Sequence, residues 1–369
     1  MIKKIFVAML VAVLMLSMQI VSADIPIDWS KVQRVSSKSD LARYIEASRQ
    51  RNEDFLPVIL TNGLTINVHE FITLCPSSVV SQKVVANDGQ NMRVIFQIKD
   101  YPGTRVANAY LSGNTDWLSA DEKQLYNAAV AVVNEANKRK GDLGKELYIY
   151  EYIMNHATYL TGDMNNQPRF VTALGVLLDG KANCQGYADA FYMLGRMCGL
   201  NVNRISGQAG GGGHAWNTIT FGDGRTYFVD AAWDDSNIKF GGFRNYNSYI
   251  YFNAPVEIMQ ATHSWDWSLA PANLQSSIDE RYGYCCLTNT QRLNNALAGL
   301  NLIAKKIATE KQKWFSVMVP YDEKFSSAHI KDVNAYLGHE FLKTYNARIN
   351  YYLYVNKYGN YLVFMAAVP

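Results

Sequence analysis

Three short segments in the middle of the chain constrain its fold most. They are Gly180-Lys-Ala-Asn-Cys184-Gln-Gly-Tyr-Ala188, Gly213-His214-Ala-Trp-Asn217 and Tyr227-Phe-Val-Asp230-Ala-Ala-Trp-Asp234. The first opens a predicted helix near Cys184 whose apolar stripe is Tyr187, Phe191, Leu194 and Cys198. Short strands are expected at 201–206, 215–221 and 225–231. A cysteine in the first turn of a helix sits where unpaired backbone N–H groups and the macrodipole favour negative charge. Its thiol, ordinarily of pKa about 8.5, then moves into the range of roughly 3.5–7.5 found for activated cysteines. His214 at the start of one strand and Asp230 toward the end of the next allow imidazole and carboxylate to lie side by side. That set is a nucleophile, a base and an orienting acid.

Taken singly, each residue has a plainer reading. Cys184 would be a small buried hydrophobe or a disulfide half, His214 a structural histidine, and Asp230 a turn or cap residue. Their joint occurrence, in order and in Gly- and aromatic-rich settings, argues for chemistry. The segments Cys184-Gln-Gly-Tyr-Ala, His214-Ala-Trp-Asn and Val229-Asp-Ala-Ala-Trp-Asp-Asp235 resemble the three motifs of the transglutaminase-like superfamily, in its bacterial secreted branch. The resemblance runs from about Glu146 to about Pro271 and takes in Tyr152, Tyr159, Leu177-Leu178-Asp-Gly-Lys181, Tyr251-Phe252 and His263. It implies an α+β fold with a papain-like core, Cys184 as nucleophile, His214 as base and Asp230 as third member. The oxyanion hole is expected at the backbone N–H of Cys184, with Gln167 or Asn166 as a further donor. Tyr187, Trp216, Asn217 and Trp233 flank the triad; packing explains them, and the three aromatics are also candidates for a substrate groove. Gly210 to Gly213 reads as a flexible loop, with a mobile hairpin over the cleft as the alternative, and it lacks the Lys-Ser/Thr of a phosphate-binding loop.

The rest of the chain sets the context. Lys3 and Lys4, the apolar run Ile5–Leu16 and the small residues of Val21-Ser22-Ala23 have the pattern of a secretory signal peptide. The run is short for a transmembrane helix, so membrane contact is expected only if this segment stays uncleaved. Cutting after Ala23 removes two lysines and leaves 346 residues with a net charge of +1. No basic tract is present, so a nucleic-acid footprint is not supported. With 49% hydrophobic residues the chain fills globular cores. Five cysteines remain, an odd number. If Cys75, Cys198, Cys285 and Cys286 form two bridges, Cys184 is left over.

Residues 24–118 are expected to form an N-terminal α+β module, 119–287 the catalytic domain and 288–369 a C-terminal α+β module. The two flanking modules share an element order of helix, strand, helix, strand, strand, which suggests divergent copies of one unit. Asp100-Tyr-Pro-Gly103 reads as a turn, Gly141 and Gly144 as breaks between two helices, and Thr290–Thr309 as a single helix. No cofactor or metal is expected. His69-Glu70 and His339-Glu340 open like a zinc-protease helix, but Thr73 and Lys343 stand where a second histidine is needed. Asp230, Asp234 and Asp235 lack calcium-loop spacing. The expected activity is acyl transfer from a protein or peptide carboxamide or peptide bond, resolved by water or by an amine. The rival reading is an inactive binding or scaffold protein of the cell envelope.

Overall fold

The computed structural model describes residues 27–51, 53–66, 70–162, 167–235, 249–278, 281–283, 290–321 and 330–368. The signal-like segment, His69, Asn166, Cys285 and Cys286 lie outside the described residues. The fold is α+β. It divides into two compact units, 1–224 with 264–273 and 225–263 with 274–369.

The first unit begins with a four-stranded sheet. Its strands are Arg34–Val35 (β1), Phe55–Leu60 (β2), Ser78–Asn87 (β3) and Met92–Asp100 (β4), in the order β1-β2-β4-β3. The pair β1–β2 is parallel and is joined through helix Lys38–Gln50 (α1); the other pairs are antiparallel. Ser37 starts α1 by accepting a hydrogen bond from the Asp40 N–H. Leu41 and Ile45 of α1 then pack on Leu56, Val58, Val94 and Phe96 of the sheet. A short helix, Phe71–Leu74 (α2), leads into β3. β3 ends the sheet, and its register against β4 shifts by one residue between Val84 and Ala86, in its exposed half.

Five helices follow: Pro102–Ser112 (α3), Ala120–Ala136 (α4), Gly141–His156 (α5), Ala173–Asp179 (α6) and Cys184–Met197 (α7). The stretch read as a turn at Pro102 starts α3 instead, because proline at the first helical position gives up only an N–H that has no helical partner there. Ser119 and Glu122 form the capping box of α4. Gly141 opens α5 rather than ending a helix before it, and Gly144 lies inside that helix. Two-residue strands Thr158–Tyr159 (β5) and Lys181–Ala182 (β6) pair in parallel and bracket the run-up to Cys184. Strands Asn201–Ala209 (β7) and Gly212–Thr220 (β8) then form an antiparallel hairpin. Gly210 and Gly211 both take positive φ, 59° and 86°, so the glycine run is a tight two-residue turn and not a flexible loop.

The second unit holds strand Thr226–Val229 (β9), the single turns Ala231–Asp234 (α8) and Val256–Met259 (α9), and the start of strand His263–Trp265 (β10). Its own four-stranded sheet comprises Thr290–Arg292 (β11), Trp314–Pro320 (β12), Tyr352–Tyr358 (β13) and Tyr361–Ala367 (β14), in the order β11-β12-β14-β13. Helix Ala296–Ala308 (α10) joins the parallel pair β11–β12, and Ile330–Lys343 (α11) leads to β13. The helix expected over Thr290–Thr309 is therefore a strand and then a helix, separated where the Asn295 side chain caps α10. Leu300, Ile303, Leu337 and Phe341 cover Val317 and Phe364. This sheet repeats the strand order and directions of the first, as the shared element order suggested.

Candidate active site

Cys184 is the first residue of α7 and is fully buried. Asn183 caps the helix: its Oδ1 accepts from the N–H groups of Gln185 at 3.0 Å and Gly186 at 3.2 Å. Sequence reasoning passed over Asn183, although asparagine just before a helix is a familiar start signal. The approach to Cys184 is tight. A Cβ on Gly186 would lie 2.6 Å from Ala182 Cβ and 2.9 Å from the Phe170 carbonyl oxygen, so only glycine fits there. Tyr187, one turn on, is buried with its ring 5.9 Å from that of Tyr159. Gln167 is exposed and precedes a short 3-10 turn, Pro168–Val171.

His214 lies on β8 opposite Gly207 and is buried. Its ring stacks on Trp216, with centroids 5.7 Å apart and planes 23° apart, and Trp216 in turn meets Trp265 edge-on. Trp216 is fully buried, so its visible role is packing behind the histidine. Asn217 ties this strand to the cysteine helix: its Nδ2 donates to the Ala188 carbonyl of α7 at 3.0 Å and to the Asn203 carbonyl of β7 at 3.2 Å. Beside Gly207, a cavity of about 170 Å³ opens between Thr73, Gln208, Trp265 and Leu269.

A buried ion pair fixes the same helix from the other side. Asp189 of α7 accepts from Arg204 Nη1 at 2.6 Å, from the Ala173 N–H at 2.9 Å and from the Gly103 N–H at 3.3 Å. Arg204 also donates to Thr104 Oγ1 and to the Pro76 carbonyl, and lies 3.8 Å and 4.5 Å from the ring centroids of Tyr101 and Tyr192. Residues far apart in sequence thus hold α7, and no spacing rule could have signalled them.

Asp230 follows β9 in the second unit and is buried. One carboxylate oxygen accepts from the Trp233 N–H at 3.0 Å; the other pairs with His263 Nε2 at 3.1 Å. Its own N–H donates to the Tyr251 carbonyl. Trp233 is half-buried, its ring 4.9 Å from that of His263. Of the three aromatics offered as groove residues, Trp233 alone keeps appreciable surface.

Cys75, Cys184 and Cys198 are buried thiols. The two bridges that would have left Cys184 over by elimination are therefore not formed, since Cys75 and Cys198 are both free of disulfides. Burial pushes the thiols of Cys75 and Cys198 up to about 11 each. Among the described residues, no helix is long and apolar enough to cross a membrane.

Residues 128–231 match the family model of the transglutaminase-like superfamily, Transglut_core. No curated protein matches the chain. Similar solved structures include a TGase, at 13% identity and a TM-score of 0.28, over 54% of this chain and 58% of that one. Another is the periplasmic domain of TgpA from Pseudomonas aeruginosa, at 14% identity and a TM-score of 0.23, over 42% of this chain and 65% of that one. The chain thus spans less than two thirds of the length of either.

Proposed function

Because residues 128–231 carry a transglutaminase-like core, we propose that this chain is an exported thiol enzyme of acyl transfer, with Cys184, His214 and Asp230 as its triad. The Cys184 sulfur attacks the carbonyl carbon of a carboxamide or peptide bond, and its proton passes to His214. As the C–N bond breaks, His214 returns that proton to the departing amine and a thioester remains. Water or a primary amine then attacks the thioester, gives its proton to His214, and releases the thiolate. Asp230 holds the imidazole and stabilises its cation. Hydrolysis is favoured, because water needs no acceptor site. The substrate is a protein or peptide, such as a cell-envelope component, with 119–287 as catalytic domain and 24–118 and 288–369 as flanking modules. The backbone N–H of Cys184 serves the oxyanion, with Gln167 or Asn166 as further donor.

The observation that carries this reading is the station of Cys184 at the head of α7, a helix that Asn217 of the His214 strand grips at Ala188. The test is the ultraviolet absorbance of the thiolate, read as the difference between the chain and its Cys184→Ala variant across a pH titration. It needs no reagent to reach a buried sulfur. A thiolate already formed in mildly acid solution is expected; a midpoint at or above about 8.5 would refute the assignment. Ammonia release from a glutaminyl peptide that survives Cys184→Ala would refute it equally.

A further inference from the structure

Behind Asp230 runs a chain of hydrogen bonds within the second unit, buried at His263 and partly exposed at Thr262. His263 Nε2 meets Asp230 Oδ2 at 3.1 Å, His263 Nδ1 meets Thr262 Oγ1 at 2.8 Å, and Thr262 Oγ1 meets Tyr251 OH at 2.7 Å. His263 and Tyr251 are both buried, as is Asp230. An ionised carboxylate only accepts, so the hydrogen of the Asp230 contact sits on His263 Nε2; in the neutral ring Nδ1 then accepts from the Thr262 hydroxyl, and the Tyr251 hydroxyl donates to Thr262 Oγ1. The imidazole then keeps its one proton on Nε2 and donates it to the carboxylate. The rings of Trp233 and Tyr251 pack against the imidazole with centroids at 4.9 Å and 5.2 Å, and the Tyr358 ring lies 6.1 Å from that of Tyr251. Tyr358 belongs to β13, and its hydroxyl meets that of Tyr354, which also receives the Asn356 amide. Asp234 fixes the other end of Tyr251 by accepting from its N–H at 2.8 Å.

We infer that His263 is a positioning residue: a neutral imidazole in the Nε2–H form that holds the Asp230 carboxylate in one rotamer and keeps it charged, with the C-terminal sheet as its backing through Tyr358. The inference rests on Asp230 being the acid of the triad. It gives the C-terminal module a task in the site. Titratable groups of this unit that face the chain of bonds include, among the described residues, Asp234, Tyr251, Tyr354 and Tyr358. Burial raises the three tyrosines, so they stay protonated at neutral pH and can serve as donors.

Two measurements on the full mature chain test this. With nitrogen-15 histidine labelling, one ring should show the neutral Nε2–H signature at neutral pH, and that ring should vanish from the spectrum of His263→Gln. A cationic ring or an Nδ1–H ring at this position would overturn the inference. Second, an anchored Asp230 supports the imidazolium that partners the thiolate. The Cys184 thiolate fraction at about pH 6 should therefore fall roughly tenfold in His263→Leu. His263→Gln, whose amide N–H can still reach Asp230, should retain it. A Leu variant that matches the parent while Asp230→Asn loses its thiolate would overturn the inference alone. If Asp230→Asn also matches the parent, the triad assignment falls and takes this inference with it. Equal loss of stability in both His263 variants with the thiolate unchanged would mark a merely structural histidine and overturn it too.

Discussion

Replacing Arg204 by methionine removes the cation from a pair that is almost wholly out of water, at 2% exposure for Arg204 and 0% for Asp189. Methionine keeps most of the volume, so the cavity contribution is small. What remains is a buried carboxylate with two backbone donors, Ala173 and Gly103, and no counter-charge. Breaking a buried pair from one side costs about 3–5 kcal/mol, a large share of a stability of roughly 5–15 kcal/mol. In a thermal melt the variant should lose about 10 °C. Adding Asp189→Leu should recover much of the loss, since a neutral, packed pair leaves no orphan charge. The pH dependence has a definite sign. Burial already pushes the Asp189 carboxyl up, and Arg204 is the largest effect opposing it. Without Arg204 the folded-state value rises further above the unfolded value of about 3.9, so the folded chain binds the extra proton. The deficit should then be smallest in acid, below that unfolded value, and grow as the pH rises toward neutrality. A melting temperature within about 2 °C of the parent at neutral pH would refute the account, as would a deficit that grows on acidification.

Gly186→Ala should destabilise by about 1–3 kcal/mol in urea unfolding, because its Cβ has nowhere to go between Ala182 and Phe170; an unchanged midpoint would show that the run-up to Cys184 yields freely. Asn183→Ala should cost about 1 kcal/mol through loss of the cap on α7, read from the same titration. Asn183→Asp should keep the cap but raise the Cys184 thiol, since it places a like charge beside a developing thiolate; thiolate absorbance shows whether it does. Cys75 and Cys198, with thiols pushed up to about 11, should resist alkylation in the native chain at neutral pH and react once it is unfolded, as peptide mass spectrometry would record.

Local signals carried well where they acted locally. The helix predicted to start at Cys184 runs Cys184–Met197, and the Ser119/Glu122 capping box is formed, because both depend on side chains within a few positions. Pro102 misled, since proline marks both turns and helix starts and only the packing of α3 decides between them. The glycine run at 210–213 fitted a loop or a hairpin equally by composition, and pairing decides: two glycines make the turn, and the next two continue as strand because β7 supplies their partners. Thr290–Arg292 is short enough that its parallel pairing with β12 settles what periodicity could not. For the candidate site, Cys184, His214 and Asp230 stood out through their motifs. The partners that fix their surroundings were not legible. Arg204 gathers Pro76, Thr104 and Asp189 from distant stretches, and Asp230 meets His263 across a span without a recognisable spacing.

The register shift in β3 bears on how this protein behaves in concentrated solution. β3 is the last strand of its sheet, ten residues long, with Val84 and Val85 open to solvent. A flat, apolar border of that length is a template for another molecule's strand, and open borders of this kind seed aggregation. The extra residue between Val84 and Ala86 breaks the ladder of hydrogen-bonding groups at that apolar point, and Lys83 places a charge beside it. Deleting Val85 should restore an unbroken border at that apolar point, and light scattering should then show more self-association than in the parent.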